Sequence, residues 1–225
     1  MVTFPRIQPL GDSAAVIVFG DEIDRTVNRR VHSLASALDA DRLEGVIEWL
    51  PTYAALTVFY EPLILNYDEV AYWLSACANR AADLCSKSAD PPSSPPRLVE
   101  VPTYYGGEFG PDLAFVAQYH DSSQDDVIRI HSGAIYQVYM LGFTPGFPYL
   151  GEVSEQIATP RLATPRSRVP MGSVGIATRQ TGIYPIESPG GWRIIGRTTL
   201  KLFDPEREPP FLIRAGDMVK FVPVR

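Results

Sequence analysis

A proline-rich stretch near the middle of the 225-residue chain constrains its folding more than any other feature. The stretch reads SKSADPPSSPPR, residues 86–97, and contains four prolines. Proline lacks the backbone N–H that helices and central strands need, and this composition is typical of a semi-rigid spacer. We therefore predict a first domain over residues 1–88, a Pro/Ser-rich linker over residues 89–97 and a second domain over residues 98–225.

Hydrophobic spacing before the linker predicts a small α+β domain. One helix is expected over residues 24–38, and a second from Asn66, which can cap it while Glu69 reaches back. Strands are expected at residues 14–19, 45–50 and 54–60. With a further strand at residues 98–101, this order suggests a ferredoxin-like arrangement.

After the linker, short β-prone runs alternate with Gly and Pro. Two short helices are expected at residues 112–119 and 124–131. Strands are expected at residues 134–141, 173–178, 182–185, 192–197, 200–203 and 218–222. Strands at this spacing favour a closed β-barrel that carries one or two helices.

The run GFTPGFPYLG, residues 142–151, places aromatic residues among glycines and prolines. Its prolines and glycines argue against a helix or a central strand and predict a shaped loop. Three aromatic side chains lie on this loop: Phe143, Phe147 and Tyr149. They either pack on their own barrel, line a pocket or meet a partner.

The composition excludes several classes of protein. A formal charge of −6 and a pI near 5.1 argue against a non-specific binder of nucleic acid or anionic membranes. The N-terminal residues do not resemble a signal peptide, and every apolar run is shorter than the roughly 20 residues that a membrane helix needs. Cys77 and Cys85 fall too far apart on one predicted helix to form a disulfide. We expect a cytoplasmic protein with reduced thiols.

Familiar catalytic motifs are missing from the sequence. It contains no P-loop, no GxGxxG after a strand, no GxSxG and no Cys/His spacing that suits zinc, so we expect no metal site. Of the three histidines, His32 and His131 are interpreted as helix residues, His131 near a helix end where it can interact with the dipole. Chemistry must then rely on hydrogen bonding and arginine charge, or on a site shared with another chain.

Residues 168–198 are dense in polar and aromatic side chains set among Gly and Pro. Gln180 offers a donor and an acceptor, which suits an amide or lactam, and Arg197 can grip a carboxylate or phosphate. Trp192 supplies a flat apolar wall. The alternative is that these residues are tight barrel corners with exposed polar side chains.

The run GFTPGFPYLG followed by TPRLATPRSRVPMGSVGIATRQTGIYPIESPGGWRIIGRT resembles the signature of the allophanate-hydrolase-subunit-1 family. The resemblance is strongest over residues 139–198. Members of this family include the B-type subunit of bacterial 5-oxoprolinase, inhibitors of a sporulation histidine kinase of the KipI type, and one half of the carboxyltransferase domain of urea amidolyase. The resemblance implies a small α+β domain followed by a cyclophilin-like β-barrel.

The same resemblance implies a function and a set of site residues. In 5-oxoprolinase, the B-type subunit works with a homologous C-type subunit, and with a separate A-type subunit, to open 5-oxoproline to glutamate at the expense of ATP. Catalytic roles would fall to Gln180, Tyr184 and Arg197. Substrate-binding roles would fall to Phe147, Ser173, Thr181, Ser188, Gly190 and Trp192. Two alternatives stay open: a histidine-kinase inhibitor, and a carboxyltransferase half that works with a biotinyl carrier.

Overall fold

The computed structural model describes residues 4–87 and 96–224, without the side chains of residues 83–87. Of the predicted linker, residues 89–95 lie outside the described residues. The chain divides into two units, Met1–Pro95 and Pro96–Arg225. Each has its own hydrophobic core.

The first unit is a four-stranded antiparallel sheet with two helices. Its elements are β1 (Arg6–Pro9), β2 (Ala14–Val18), α1 (Arg25–Ala40), β3 (Val46–Pro51), β4 (Ala55–Tyr60) and α2 (Tyr67–Lys87). The strand order is β1-β2-β4-β3. The inward side chains of α1 and α2 bury the core of this unit against the sheet, which confirms the predicted α+β class.

Both helices begin at capping residues that are visible in the sequence. The Asp24 carboxylate accepts hydrogen bonds from the backbone N–H groups of Thr26 and Val27, at 2.8 and 2.9 Å. At the start of α2, Asn66 Oδ1 accepts from the Glu69 N–H at 3.1 Å, and Glu69 Oε2 accepts from the Asn66 N–H at 2.9 Å. The predicted reciprocal cap is therefore confirmed.

One strand of the first unit was assigned to the wrong part of the sequence. Residues 98–101 belong to the barrel, and β1 supplies the fourth strand of the N-terminal sheet. The chain thus runs β-β-α-β-β-α instead of the β-α-β-β-α-β order of a ferredoxin-like fold. The sequence hides β1 because it pairs through its backbone at the sheet edge and leaves most of its side chains exposed.

The second unit is a closed barrel of seven strands. Its elements are β5 (Leu98–Tyr105), α3 (Leu113–Tyr119), α4 (Gln124–Gly133), β6 (Ile135–Leu141), β7 (Pro148–Gly151), β8 (Arg166–Val169), β9 (Ser173–Ala177), β10 (Gln180–Ile183), β11 (Ser188–Gly190), β12 (Arg193–Arg197) and β13 (Met218–Val224). The barrel order is β10-β7-β6-β13-β5-β12-β9, and β9 pairs with β10 to close it. All neighbours are antiparallel except β5 and β13, and β8 and β11 form a separate two-stranded sheet. The predicted closed barrel with helices is confirmed.

The run at residues 142–151 is only partly a loop. Its second half forms β7, which pairs with β6 and β10 on its two sides, so the expectation that it could not contain a central strand was wrong. Pro148 is the first residue of this strand, a position where a missing N–H does not break the ladder. The strand expected at residues 200–203 is also wrong, since Phe203 makes only an isolated bridge to Phe211.

His131 lies in the last turn of α4, near the helix end as predicted, but its side chain is buried inside the barrel unit. Its side chain is 0% exposed, Nδ1 lies 2.7 Å from the Tyr105 hydroxyl, and Nε2 lies 2.9 Å from Thr181 Oγ1. Burial lowers the pKa of His131 to about 3, so the imidazole is neutral near pH 7. It therefore does not act as a cation on the helix dipole, which corrects the sequence interpretation.

Candidate functional site

A cavity of about 300 Å³ lies on the outer face of the barrel. It is lined by Phe143, Phe147, Tyr149, Arg161, Leu162, Pro165, Tyr184, Pro189, Gly190, Gly191 and Trp192. Aromatic rings therefore dominate the walls, and a single arginine supplies the only charge among the lining residues. This volume is at the small end of the range for ligand sites, about 300–1,000 Å³.

The strand pattern explains why these rings lie outside the barrel. In β9, Val174 and Ile176 point into the barrel core, whereas Ala177 belongs to an outer cluster. That outer cluster consists of Phe147, Val169, Ala177, Tyr184, Trp192 and Ile194, with Tyr149 packed against it. The barrel thus carries a second, aromatic layer on its surface, and the cavity opens in that layer.

Two glycines make room for this layer on the barrel wall. A Cβ at Gly182 would lie 2.9 Å from Phe147 Cζ, and a Cβ at Gly175 would lie 3.0 Å from Trp192 Cβ. Any larger residue at either position would push a ring away from the sheet. The glycines of β9 and β10 therefore let Phe147 and Trp192, which line the cavity, pack closely on the barrel wall.

Edge-to-face contacts lock the rings against one another. The centroid of Phe147 lies 5.1 Å from that of Tyr184 and 5.4 Å from that of Trp192, with interplanar angles of 86° and 84°. The centroid of Tyr149 lies 5.8 Å from that of Trp192. Such contacts fix the ring planes, so the cavity walls are preorganised.

Phe143 forms the rim of the cavity. Its side chain is 61% exposed, and its centroid lies 5.6 Å from that of Phe147 in a T-shaped contact. Its φ of 67° is uncommon for a residue with a side chain. The turn is held by two backbone hydrogen bonds of 3.1 Å, from Gly142 N–H to Phe147 O and from Phe147 N–H to Thr144 O. The ring is thereby held over the cavity mouth.

Two tyrosines of the cavity wall, Tyr149 and Tyr184, lie close enough to Arg161 for its charge to act on their hydroxyl groups. Burial raises the pKa of Tyr184 above its usual range, although the Trp192 backbone N–H and the Arg161 guanidinium partly oppose this. Burial likewise raises the pKa of Tyr149, and Arg161 again opposes it. Both phenols therefore stay protonated at neutral pH and can donate a hydrogen bond.

The structure gathers four of the residues predicted from the sequence around this cavity: Phe147, Tyr184, Gly190 and Trp192. Gly190 lies against the Tyr184 ring, where a Cβ would be 2.7 Å from Cε1 and Cζ. The buried hydroxyl of Ser188, on the adjoining strand β11, has no hydrogen-bond partner among the described residues. It is not one of the lining residues.

The other predicted residues lie elsewhere. Thr181 is inside the barrel, where its hydroxyl donates to Gly175 O at 2.9 Å and contacts His131. Arg197 pairs across the strands with Ser173, and its guanidinium lies 5.5 Å from the centre of the Phe109 ring. Gln180 pairs with Ala177 and Gly151, so it shares the outer face with Tyr149 without lining the cavity.

The sequence analysis missed the charged residue of the cavity. Arg161 belongs to the quoted segment TPRLATPRSR but was not chosen as a site residue. Its guanidinium lies 5.8 Å from the centre of the Trp192 ring. The proximity of Arg161 to Trp192 arises from tertiary folding over some thirty residues, which no local pattern reveals.

The cavity has the means to bind and orient a ligand but not to hydrolyse one unaided. None of the lining residues is an acid, a histidine, a serine or a cysteine. Among residues 4–87 and 96–224, no group of His, Cys, Asp or Glu could hold a metal ion. In the same part of the chain, no helix is long and apolar enough to cross a membrane.

A known protein family matches residues in both the N-terminal unit and the barrel unit. Residues 5–213 match the family described as "Carboxyltransferase domain, subdomain C and D". The chain belongs to this family. The match covers both units of the structure.

Relatives of nearly equal length carry one name. The B-type subunit of 5-oxoprolinase from Bacillus subtilis (strain 168) is 47% identical over 221 residues, 96% of this chain and 92% of the relative. Its counterpart from Escherichia coli O157:H7 is 42% identical over 97% of this chain and 95% of its own. The counterpart from Haemophilus influenzae is 40% identical over 96% and 97%. The resemblance drawn from the sequence motifs is thus confirmed.

Solved structures share the fold. The structure of TTHA0988 matches 94% of this chain with a TM-score of 0.80 and 37% identity, and this chain spans 40% of that one. An uncharacterized protein from Pyrococcus horikoshii is 52% identical over 97% of both chains, with a TM-score of 0.56. The K. lactis urea amidolyase matches 98% of this chain at 20% identity with a TM-score of 0.78, a likeness of fold alone.

Proposed function

We propose that this chain is the B-type subunit of an ATP-dependent 5-oxoprolinase. In this role it works with a homologous C-type subunit and an A-type subunit to hydrolyse 5-oxo-L-proline to L-glutamate. The proposal is carried by the relatives of nearly full length, 40–47% identical, that bear this name. The reaction adds one water across the lactam amide bond, and ATP hydrolysis drives it.

The cavity supports a division of labour within the proposed complex. Lactam hydrolysis needs proton transfer and a nucleophilic water, which carboxylates, histidines or metal-bound water usually provide. The lining residues supply none of these groups. We therefore assign ligand binding to this chain and the reacting acid and base to a sister subunit, so the isolated chain is expected to be inactive.

ATP does not fit the cavity. Sites that handle a nucleoside triphosphate surround its phosphates with several cations and backbone N–H groups. The cavity offers one arginine among aromatic rings, within about 300 Å³. We therefore assign ATP to another part of the proposed complex.

Gln180 and Arg197 keep a proposed role outside the cavity. Gln180 lies on β10 and Arg197 on β12, and both residues are half-buried. If they contact a reaction intermediate at a site that this chain shares with a sister subunit, Gln180→Ala and Arg197→Ala will each lower turnover by the reconstituted complex. Unchanged turnover in either variant would remove that residue from the site.

Reconstitution tests the function itself. The chain, its sister subunits, ATP and 5-oxo-L-proline are expected to yield glutamate and ADP, and omission of this chain is expected to abolish both products. Equal rates with and without the chain would refute the proposal. Loss of histidine-kinase autophosphorylation on adding the chain, or biotin-dependent carboxylation of urea by the complex, would replace it with one of the alternatives.

A further inference from the structure

Arg161 makes no ion pair among the described residues, unlike three other arginines of the same unit. The neighbouring Arg193 also makes none, but it lies over the Phe115 ring and does not line the cavity. Arg166 pairs with Asp112 at 2.8 Å, Arg168 with Glu187 at 2.6 Å, and Arg179 with Glu152 at 3.0 Å. None of the ion pairs found in the described part of the chain involves Arg161, whose guanidinium lies over the face of Trp192. No carboxylate lines the cavity. An anion entering the cavity would therefore meet an uncommitted guanidinium.

The remaining walls suit a flat ring. Phe147, Tyr184 and Trp192 are fixed by edge-to-face contacts, and Phe143 stands over the opening. Flat apolar faces can bury a five-membered lactam, whose ring is nearly flat, with little loss of hydrogen bonding, because its polar atoms lie at its edge. Tyr184 also lines the cavity, and its protonated hydroxyl can donate a hydrogen bond to a carbonyl oxygen.

From these features we infer that the cavity binds a small planar cyclic carboxylic acid, and that Arg161 selects for the carboxylate. The carboxylate accepts hydrogen bonds from the guanidinium, while the ring packs against the aromatic walls of the cavity. The choice of 5-oxoproline as the ring acid rests on the proposed function. The geometry of the cavity requires only a flat ring and an anionic group.

Direct binding to the full chain, in the absence of sister subunits and ATP, tests this inference. Isothermal titration calorimetry compares 5-oxo-L-proline with 2-pyrrolidinone, which has the same lactam ring without the carboxylate. We expect 5-oxo-L-proline to bind at least about tenfold more tightly, the factor expected from one charge-assisted hydrogen bond. Equal affinities for 5-oxo-L-proline and 2-pyrrolidinone, or failure of every ring acid tested to bind, would overturn the inference.

Variants assign the selectivity to one side chain. Arg161→Ala is expected to remove the preference for the acid, and Arg161→Lys to restore part of it, because lysine keeps the charge but not the forked geometry. Arg214→Ala is the matched control, since Arg214 is an exposed arginine of the same unit outside the cavity. Preference retained in Arg161→Ala would contradict the assignment.

A second acid separates this inference from the proposed function. Pyrrole-2-carboxylate is planar and anionic but is not a lactam. Binding of both acids supports the cavity assignment whatever the reconstituted complex does. Binding of pyrrole-2-carboxylate without 5-oxo-L-proline would leave the cavity assignment intact and count against the proposed substrate. Turnover of 5-oxo-L-proline by the complex, with no binding of either acid by this chain, would support the proposed function and contradict the cavity assignment.

Discussion

The absence of a Cβ at Gly190 determines the shape of the cavity wall beside Tyr184. A Cβ at this position would overlap the Tyr184 hydroxyl and approach Cε1 and Cζ to 2.7 Å. Tyr184 cannot withdraw, because it is 1% exposed and its ring is held by Phe147. The residue type at position 190 therefore controls both the stability of the aromatic layer and the space beside Arg161.

Gly190→Ala should consequently destabilise the fold. We expect the free energy of unfolding to fall by about 1–3 kcal/mol, as is typical of overpacking. Urea denaturation measures the change. Gly133→Ala is the matched control: a Cβ there meets nothing within 4 Å, at the end of a helix that alanine favours, so stability should hold or rise slightly. Equal stability of Gly190→Ala and the wild type would contradict this prediction, because it would show that the Tyr184 ring can move aside without cost.

The buried imidazole of His131 gives the fold a dependence on pH. The unfolded chain, with an imidazole pKa near 6.5, takes up a proton on acidification that the folded chain, with a pKa of about 3, does not. The part of the free energy of unfolding that depends on neutral His131 is fully present above pH 6.5. It decreases as the pH falls below that value, with a limiting slope of about 1.4 kcal/mol per pH unit.

His131→Gln isolates this contribution, because glutamine keeps hydrogen-bonding capacity but does not titrate. We expect the variant to lose less stability than the wild type between about pH 7 and pH 5, whatever its absolute stability. The measurement is the free energy of unfolding at several pH values. Parallel curves for the two proteins would mean that His131 is not buried in its neutral form.

On the scale of secondary-structure elements, one carboxylate joins the helices to two strands. Asp112, just before α3, receives a hydrogen bond from Arg166 of β8 at 2.8 Å and another from the Ile194 N–H of β12 at 2.7 Å. Its side chain is 9% exposed. Because the carboxylate is taken out of water, it depends on these donors.

Removal of Arg166 should therefore cost more than removal of a neighbouring arginine in an exposed pair. We expect Arg166→Ala to lower the free energy of unfolding by about 1–3 kcal/mol, since it leaves a buried carboxylate short of a partner. Arg168→Ala breaks the pair with Glu187, whose side chains are 76% and 46% exposed, and should cost about 0–1 kcal/mol. Similar losses in urea denaturation would contradict this ranking.

Sequence patterns predicted those elements whose side chains alternate between core and solvent or follow a helical period. The helices and the strands β2, β4 and β13 are of this kind. The patterns missed β1, β7, β8 and β11, which are three or four residues long. Such strands exist because a partner edge is available, and partner edges are tertiary information. The same holds for the cavity. Four predicted residues lie in segments that the motifs mark, whereas Arg161 reaches Trp192 only through tertiary folding and was missed.

At the scale of the whole molecule, the barrel unit is held by contacts between its two ends. β13 lies between β5 and β6, and its Val219 and Phe221 are buried in the barrel core. Arg97, just before β5, donates to Asp217 Oδ1 at 3.2 Å, a link between residues 120 positions apart. All the residues of this hydrophobic core belong to the second unit.

A fragment of residues 96–225 should therefore fold by itself, with cooperative urea unfolding that Trp192 fluorescence reports. Residues 96–217 should not, because removal of β13 opens the barrel on two edges and uncovers the neighbours of Phe221. Equal cooperativity in the two fragments would show that β13 is dispensable.

The parallel pairing of β5 with β13 has a consequence for biosynthesis. A ribosome exposes β5 early, but this strand can pair with β13, one of its two neighbours, only after residues 218–224 have been translated. The N-terminal α+β unit, whose partners are all local, can fold in the meantime. During that interval the edges of β5 and β6 that later pair with β13 stay open to chaperones and proteases. The barrel can close only once the chain has been translated through β13.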